Sequence, residues 1–300
     1  MTEPDHHELF ADFQRRFLPP VFGVEFCVAL AGNVGALWLM AGRERRRNWH
    51  TGLVFSCNLA ASDLLYTLTL PLLVLYYAGG KHWRFGPAAC TAERFLFICN
   101  LYSSVFFVTC ISVNRYVGIV HPFFARSHVR PRHATAVSLL VWVAVAAVSS
   151  PVLSVFLAVF GCLLPLLATA ASYGAIFRTV WRKGNFPRAE KRKVGLLLGA
   201  VLTLYAVSFV PYHALRNYHL YLKIEEQYVP VVYKAYQVSK GLVTLNMCLH
   251  PLLYMTLISS SCGGPEDWGD QSPGGQRLRQ TPKPIRDPTI QGVRKTGGQK

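Results

Sequence analysis

Charge is scarce in this chain, and negative charge is scarcer still. Of 300 residues only 15 are Asp or Glu against 31 Lys or Arg, and the four types together make up 15%. From Ala134 to Phe177 there are 44 consecutive residues without one of them. That is too little charge to coat a water-soluble domain of this size. Other absences narrow the field further. No Asn-x-Ser/Thr sequon occurs, so N-glycosylation is not expected. No phosphate-cradling Gly loop, metal-ligand spacing or nucleophile triad appears, which argues against an enzyme. Residues 1–18 are polar and carry Glu3, Asp5, Glu8 and Asp12, so no cleavable signal peptide is expected, and the first apolar segment must serve as its own insertion signal.

What is present is apolar. Hydrophobic residues make up 52% of the chain, and they fall in blocks of membrane-spanning length, at about 19–42, 52–79, 91–120, 134–155, 157–177, 194–222 and 229–258. The expectation is an all-α membrane protein, a bundle of seven transmembrane helices. It has an N-terminal segment over 1–18, a membrane domain over 19–258, and a tail over 259–300 whose Gly, Pro, Gln and charge suit disorder.

A formal charge of +16 would suit a nucleic-acid binder, but its placement argues otherwise. Arg43, Arg45, Arg46 and Arg47 fall between spans one and two, Arg126, Arg130 and Arg132 between three and four, and a basic run from Arg178 to Lys193 between five and six. By the positive-inside rule these loops face the cytoplasm, the N-terminus faces out and the C-terminus faces in. The basic surface is a topology signal, and no nucleic-acid partner is expected.

Against that apolar background the segment YAVSFVPYHALR, residues 205–216, stands out. His213 and Arg216 lie one helical turn apart near the outer end of span six. An ionisable group at membrane depth costs about 2.5–3.5 kcal/mol on insertion scales, so it is kept where it faces protein, water or a ligand, and a basic pair implies an anionic ligand. Arg94 lies one turn inside the outer end of span three, and Gln237 and Lys240 share a face of span seven. Several cations around one mouth form a phosphate site. Tyr102, Tyr212 and Tyr236 stand where a base or ribose would be met, although aromatic residues in spans also serve packing. Lys81, Arg84 and Lys234 suit the other use of long basic side chains, snorkelling to the interface. Glu25, alone in span one, either pairs with a cation such as Lys240 or sits near the interface.

Several motifs then occur in order. Asn33 stands in span one, LAASDLL around Asp63 in span two, and Asn114-Arg115-Tyr116 closes span three. Trp142, Pro165 with Tyr173, Pro211, and HPLLY at 250–254 follow. The set resembles the rhodopsin-like G-protein-coupled receptors. Within them, HALR at 213–216 resembles the His-x-x-Arg motif of the metabotropic purinoceptors, and QVSK at 237–240 their Gln-x-x-Arg motif with lysine for arginine. KHWRFG, ERFLF and GIVHPFFARSH are similar to the ATP-responsive members.

The resemblance implies a plasma-membrane receptor in which extracellular ATP or a related nucleotide binds Arg94, Tyr102, Tyr212, His213, Arg216, Gln237 and Lys240. It implies coupling to heterotrimeric G proteins, Gs toward adenylyl cyclase and Gq toward phospholipase C. Lys240 keeps the attraction of the family's arginine but loses its planar fork. Asn114, Arg115, Tyr116, Tyr173, Phe209, Pro211, Pro251 and Tyr254 are the switch positions. Asn114 replaces a carboxylate that would restrain Arg115, so a weakly held resting state with basal signalling is expected. No cofactor is implied beyond a sodium ion held by Asp63 with Asn33, Ser104 and Asn246. His250 removes one oxygen ligand of that set, and the alternative is an Asp63 hydrogen-bonded or protonated within a polar network.

The main departure lies between spans four and five. The 44 uncharged residues correspond to roughly 66 Å of helix, which two antiparallel spans consume almost wholly, so helices four and five are shortened or fused and no second outer loop remains. The family's disulfide partner of Cys90 is thereby absent, and Cys90 is expected to be a free thiol. A signalling-impaired isoform is therefore the alternative to a working receptor. Cys262 is a candidate for palmitoylation.

Overall fold

The computed structural model describes residues 3–44, 51–148, 154–182, 188–227 and 229–260, and among them every regular element is an α-helix. In chain order these are α1 (Glu3–Glu44), α2 (Thr51–Thr67), α3 (Leu70–Ala78), α4 (Gly86–Val120), α5 (Pro122–His128), α6 (Pro131–Val148), α7 (Ser154–Arg182), α8 (Arg188–Ile224) and α9 (Pro230–Ser260). Four stretches among the described residues are long and apolar enough to cross a membrane unaided, at 14–42, 51–78, 86–120 and 163–182. α6 supplies a shorter apolar helix. His213 and Arg216 lie on α8 and Lys240 on α9.

Span two is interrupted. Pro71 has no N–H to give the carbonyl of Thr67, so the helix ends there and restarts as α3 with proline in its first turn. Two hydroxyls satisfy carbonyls at the break: Thr67 Oγ1 donates to the Asp63 carbonyl at 2.6 Å, and Thr69 Oγ1 to the Tyr66 carbonyl at 2.7 Å. The new direction lays α3 along α1 while α2 packs on α4. The α3–α4 connection then turns through left-handed backbone at Gly80 (φ 71°), Lys81 (φ 67°) and Gly86 (φ 79°), and Trp83 Nε1 donates to the Gly86 carbonyl at 2.7 Å to close it.

The helices close a ring, with α1 against α2, α3 and α9, α9 against α8, α8 against α7, and α7 against the central α4. One buried cluster, with Phe22, Tyr66, Phe97, Tyr102, Tyr205 and Tyr212, fills the half toward the α3–α4 connection. A second, with Met40, Leu59, Phe107, Ile111, Tyr173 and Val201, fills the other half.

Several boundaries differ from expectation. α1 begins at Glu3 rather than near residue 19, and α7 runs on to Arg182. Helices four and five fall on α6, with 18 residues, and α7, with 29. Residues 149–153 between them lie outside the described residues, as do the tail from 261, Arg45 to Arg47 and the side chains of Cys162 and Tyr254.

Candidate functional site

The polar groups expected on spans six and seven converge at the α3–α4 end of the bundle. Phe97 of α4 is the hub. Its ring lies 5.5 Å from Tyr66 and 5.8 Å from Tyr212, and the Lys240 ammonium sits 4.5 Å above its centroid, a cation–π arrangement. Tyr212 continues the chain to His213 (5.4 Å between rings) and to Tyr236 (5.9 Å). Tyr102 closes on His213 from α4 at 6.0 Å. Tyr102 is itself held by close approach of α7, because a Cβ at Gly161 would meet its ring at 3.0 Å.

Within this aromatic wall polar groups of α8 are unsatisfied. Both ring nitrogens of His213 and Nη1 of Arg216 are buried without a hydrogen-bond partner among the described residues. A buried donor left unpaired costs about 1–3 kcal/mol, more when charged, so these groups are open to a further partner. Lys240 is held by Glu93 of α4, 3.7 Å from its ammonium. Glu25 does not pair with Lys240. The Thr244 hydroxyl lies alongside Glu25 but donates to the Gly241 carbonyl at 2.8 Å, and both carboxylate oxygens of Glu25 are buried without a hydrogen bond.

Tyr102, Tyr212, His213, Arg216 and Lys240 are thus brought together. Gln237 is half-buried one turn along α9 from Lys240. Arg94 differs, lying exposed beside Tyr76 while its neighbour Glu93 turns into the bundle. Phe97, Glu93 and His219, whose ring stacks on Tyr236 (5.4 Å, 15°), are not among the expected site residues. The apolar spacing around Phe97 carries no mark of its role.

Mid-bundle, Asp63 is enclosed. Asn100 Nδ2 donates to its Oδ1 at 2.9 Å and His250 Nδ1 to its Oδ2 at 2.8 Å. Asn33 turns its amide to the Met247 carbonyl at 3.0 Å, and Asn246 Oδ1 accepts from Ser208 at 3.2 Å. Ser104 is buried on α4. A sodium ion needs several oxygens free to face it; Asn33 Oδ1 is buried without a hydrogen bond, but Asn246 Oδ1 is taken by Ser208 and a histidine nitrogen stands against Asp63 Oδ2, so the set fits the ion poorly.

At the opposite end, Tyr173 of α7 lies against Ser112 and Arg115 of α4, and Tyr116 hydrogen-bonds His121 at 3.1 Å. Asn114 packs on Gly52, where an added Cβ would meet its amide at 3.1 Å. Phe209 is buried, Pro211 sits inside α8, and Pro251 inside α9. Trp142 Nε1 donates to Asn58 Oδ1 at 2.9 Å, tying α6 to α2. Cys90 is a free thiol.

Comparison with known proteins identifies the family. The profile of the 7 transmembrane receptor (rhodopsin family) matches in two pieces, 32–156 and 150–254, and the break falls at the α6–α7 connection. The metabotropic purinoceptor 11 of Homo sapiens is 43% identical over 303 aligned positions, 83% of this chain and 81% of the relative. Since those positions take in only part of a 300-residue chain, dozens of them have no counterpart here. The metabotropic purinoceptor 1 of Gallus gallus is 34% identical over 81% of this chain and 76% of its own length, and that of Homo sapiens 33% over 81% and 74%. A multi-pass helical bundle of this make-up is a receptor rather than an enzyme, and the chain belongs to the rhodopsin family of seven-transmembrane receptors and, within it, to the metabotropic purinoceptors.

Proposed function

We propose that this chain is a plasma-membrane receptor for extracellular nucleotides, ATP foremost, with its N-terminus outside and its C-terminus in the cytoplasm. One observation carries the reading: the buried, unpartnered ring nitrogens of His213 and Nη1 of Arg216 share one aromatic wall with Lys240, joined to it through Tyr212 and Phe97. Phosphate oxygens supply the missing acceptors, Arg216 gripping them through its planar fork, while Tyr102, Tyr212 and Tyr236 offer ring faces for the base. Arg94, exposed near the mouth, steers the anion inward, and Gln237 contributes an amide beside Lys240. Movement of α8 about Pro211 passes the binding event to the switch residues Asn114, Arg115, Tyr116, Tyr173, Phe209, Pro251 and Tyr254, and through them to heterotrimeric Gs and Gq. The role requires no cofactor.

The test is ATP-evoked cAMP and calcium in otherwise unresponsive cells expressing this chain, with surface labelling of the same cells. Arg216→Ala removes a charge-assisted hydrogen bond worth about 1.5–3 kcal/mol, so the ATP dose–response should move right by roughly 10- to 100-fold. An unchanged dose–response would sink the assignment. A second reading, a signalling-impaired isoform, is favoured by the confinement of the α6–α7 connection to 149–153, because a long loop there would cover the mouth. Surface protein without any response would support it.

A further inference from the structure

We infer that Glu93 is an internal competitor for the nucleotide's phosphate chain, holding the Lys240 ammonium until an anion of higher charge displaces it. The inference rests on the nucleotide-receptor reading and names what sets its affinity. Glu93 is 6% exposed, and its Oε1 lies 3.7 Å from Lys240 Nζ. That contact is an ion pair but too long for a hydrogen bond, and Oε1 is buried with none. On another side Lys240 meets the face of Phe97, 4.5 Å away.

A buried carboxylate compensated by one long contact recovers little of its desolvation cost. The pair is therefore poised to break. A polyphosphate brings several negative charges to the same ammonium, and a lysine, as a point charge on a flexible stem, can swing from one anion to another where an arginine fork would be geometrically committed. The cost of the exchange is a Glu93 left buried among Tyr66, Tyr76 and Tyr77, whose phenols lie in its field. That cost is subtracted from ligand binding. Glu93 is thus a positioning residue acting through Lys240.

The experiment is a binding cycle on membranes carrying the full chain, with competition by ATP and AMP against wild type, Glu93→Gln, Lys240→Gln and the double variant. Glu93→Gln should raise ATP affinity about fivefold, the worth of a part-exposed ion pair, with a smaller gain for AMP, and the gain should vanish when Lys240 is also replaced. No gain, or an equal gain without Lys240, would overturn the inference, the latter because mere removal of a negative charge from the mouth would then explain it. Thermal melting of the four purified receptors without ligand gives a second readout. Glu93→Gln and Lys240→Gln should be less than additive, and additive effects would refute the pair. If wild type binds no nucleotide, the receptor reading fails while the melting cycle still decides the pair.

Discussion

His250→Ala should be among the most damaging single substitutions in the bundle. The His250 and Asp63 side chains are 1% and 0% exposed, and their 2.8 Å contact joins the Asn100 amide in holding the carboxylate. Truncation takes that donor from a carboxylate sealed off from water. Losing a hydrogen bond to a charged group costs about 1.5–3 kcal/mol, and stripping a buried pair of one partner raises the loss to about 3–5 kcal/mol. At roughly 2–4 °C per kcal/mol, the melting temperature of the detergent-solubilised receptor should fall by about 10 °C. His250→Asn restores a donor to the carboxylate and should recover much of the loss. In an Asp63→Asn background, where no buried charge is stranded, His250→Ala should cost clearly less. A drop of under about 1 kcal/mol, or full additivity of the two changes, would show that the pair does not hold the helices as described.

Three further outcomes follow from the same geometry. Nucleotide affinity should be unchanged when sodium replaces a large organic cation at constant ionic strength, and His250→Asn should introduce sodium sensitivity; sensitivity in the wild type would contradict the enclosure of Asp63. Cys90→Ser should alter the melting temperature by less than about 0.5 kcal/mol equivalent, and reductant should leave it unchanged, whereas a stapling disulfide would cost about 2–4 kcal/mol. Gly32→Ala places a Cβ 2.8 Å from the Pro251 ring and should destabilise the α1–α9 contact by about 1–3 kcal/mol, read in the same thermal assay.

The spans were legible because membrane-length apolar blocks have few other uses. Their ends were less so. α1 continues back to Glu3 through residues too polar to announce a membrane helix, and the break at residues 68–69 was signalled only by Pro71, which also suits an unbroken, kinked span. At the site, HALR and QVSK told which turns mattered, since cations at membrane depth need a reason. The choice between Glu93 and Arg94 was not readable. Adjacent helical residues point about 100° apart, and only the packing of α4 on its neighbours decides which one enters the bundle. His250 was visible as a lost oxygen ligand, but the meeting of its ring with the Asp63 carboxylate depended on the rotation of α9.

The short α6–α7 connection bears on the mouth more than on the bundle. α7 is anchored by α4 along its length rather than through α6. Near one end Gly161 admits the Tyr102 ring; in the middle Thr109 and Thr169 hydroxyls meet at 3.1 Å; near the other end Tyr173 reaches Ser112 and Arg115. None of these contacts involves a loop residue. A chain without the long loop therefore keeps the contacts that place α7 beside α8, and with them the Tyr102–His213 wall. On the nucleotide-receptor reading, what a missing loop removes is cover over Arg216 and Lys240, leaving water to compete with protein for the phosphates. The expected signature is a receptor that reaches the surface and melts at an ordinary temperature, yet binds nucleotide with a fast off-rate and a steep loss of affinity in salt.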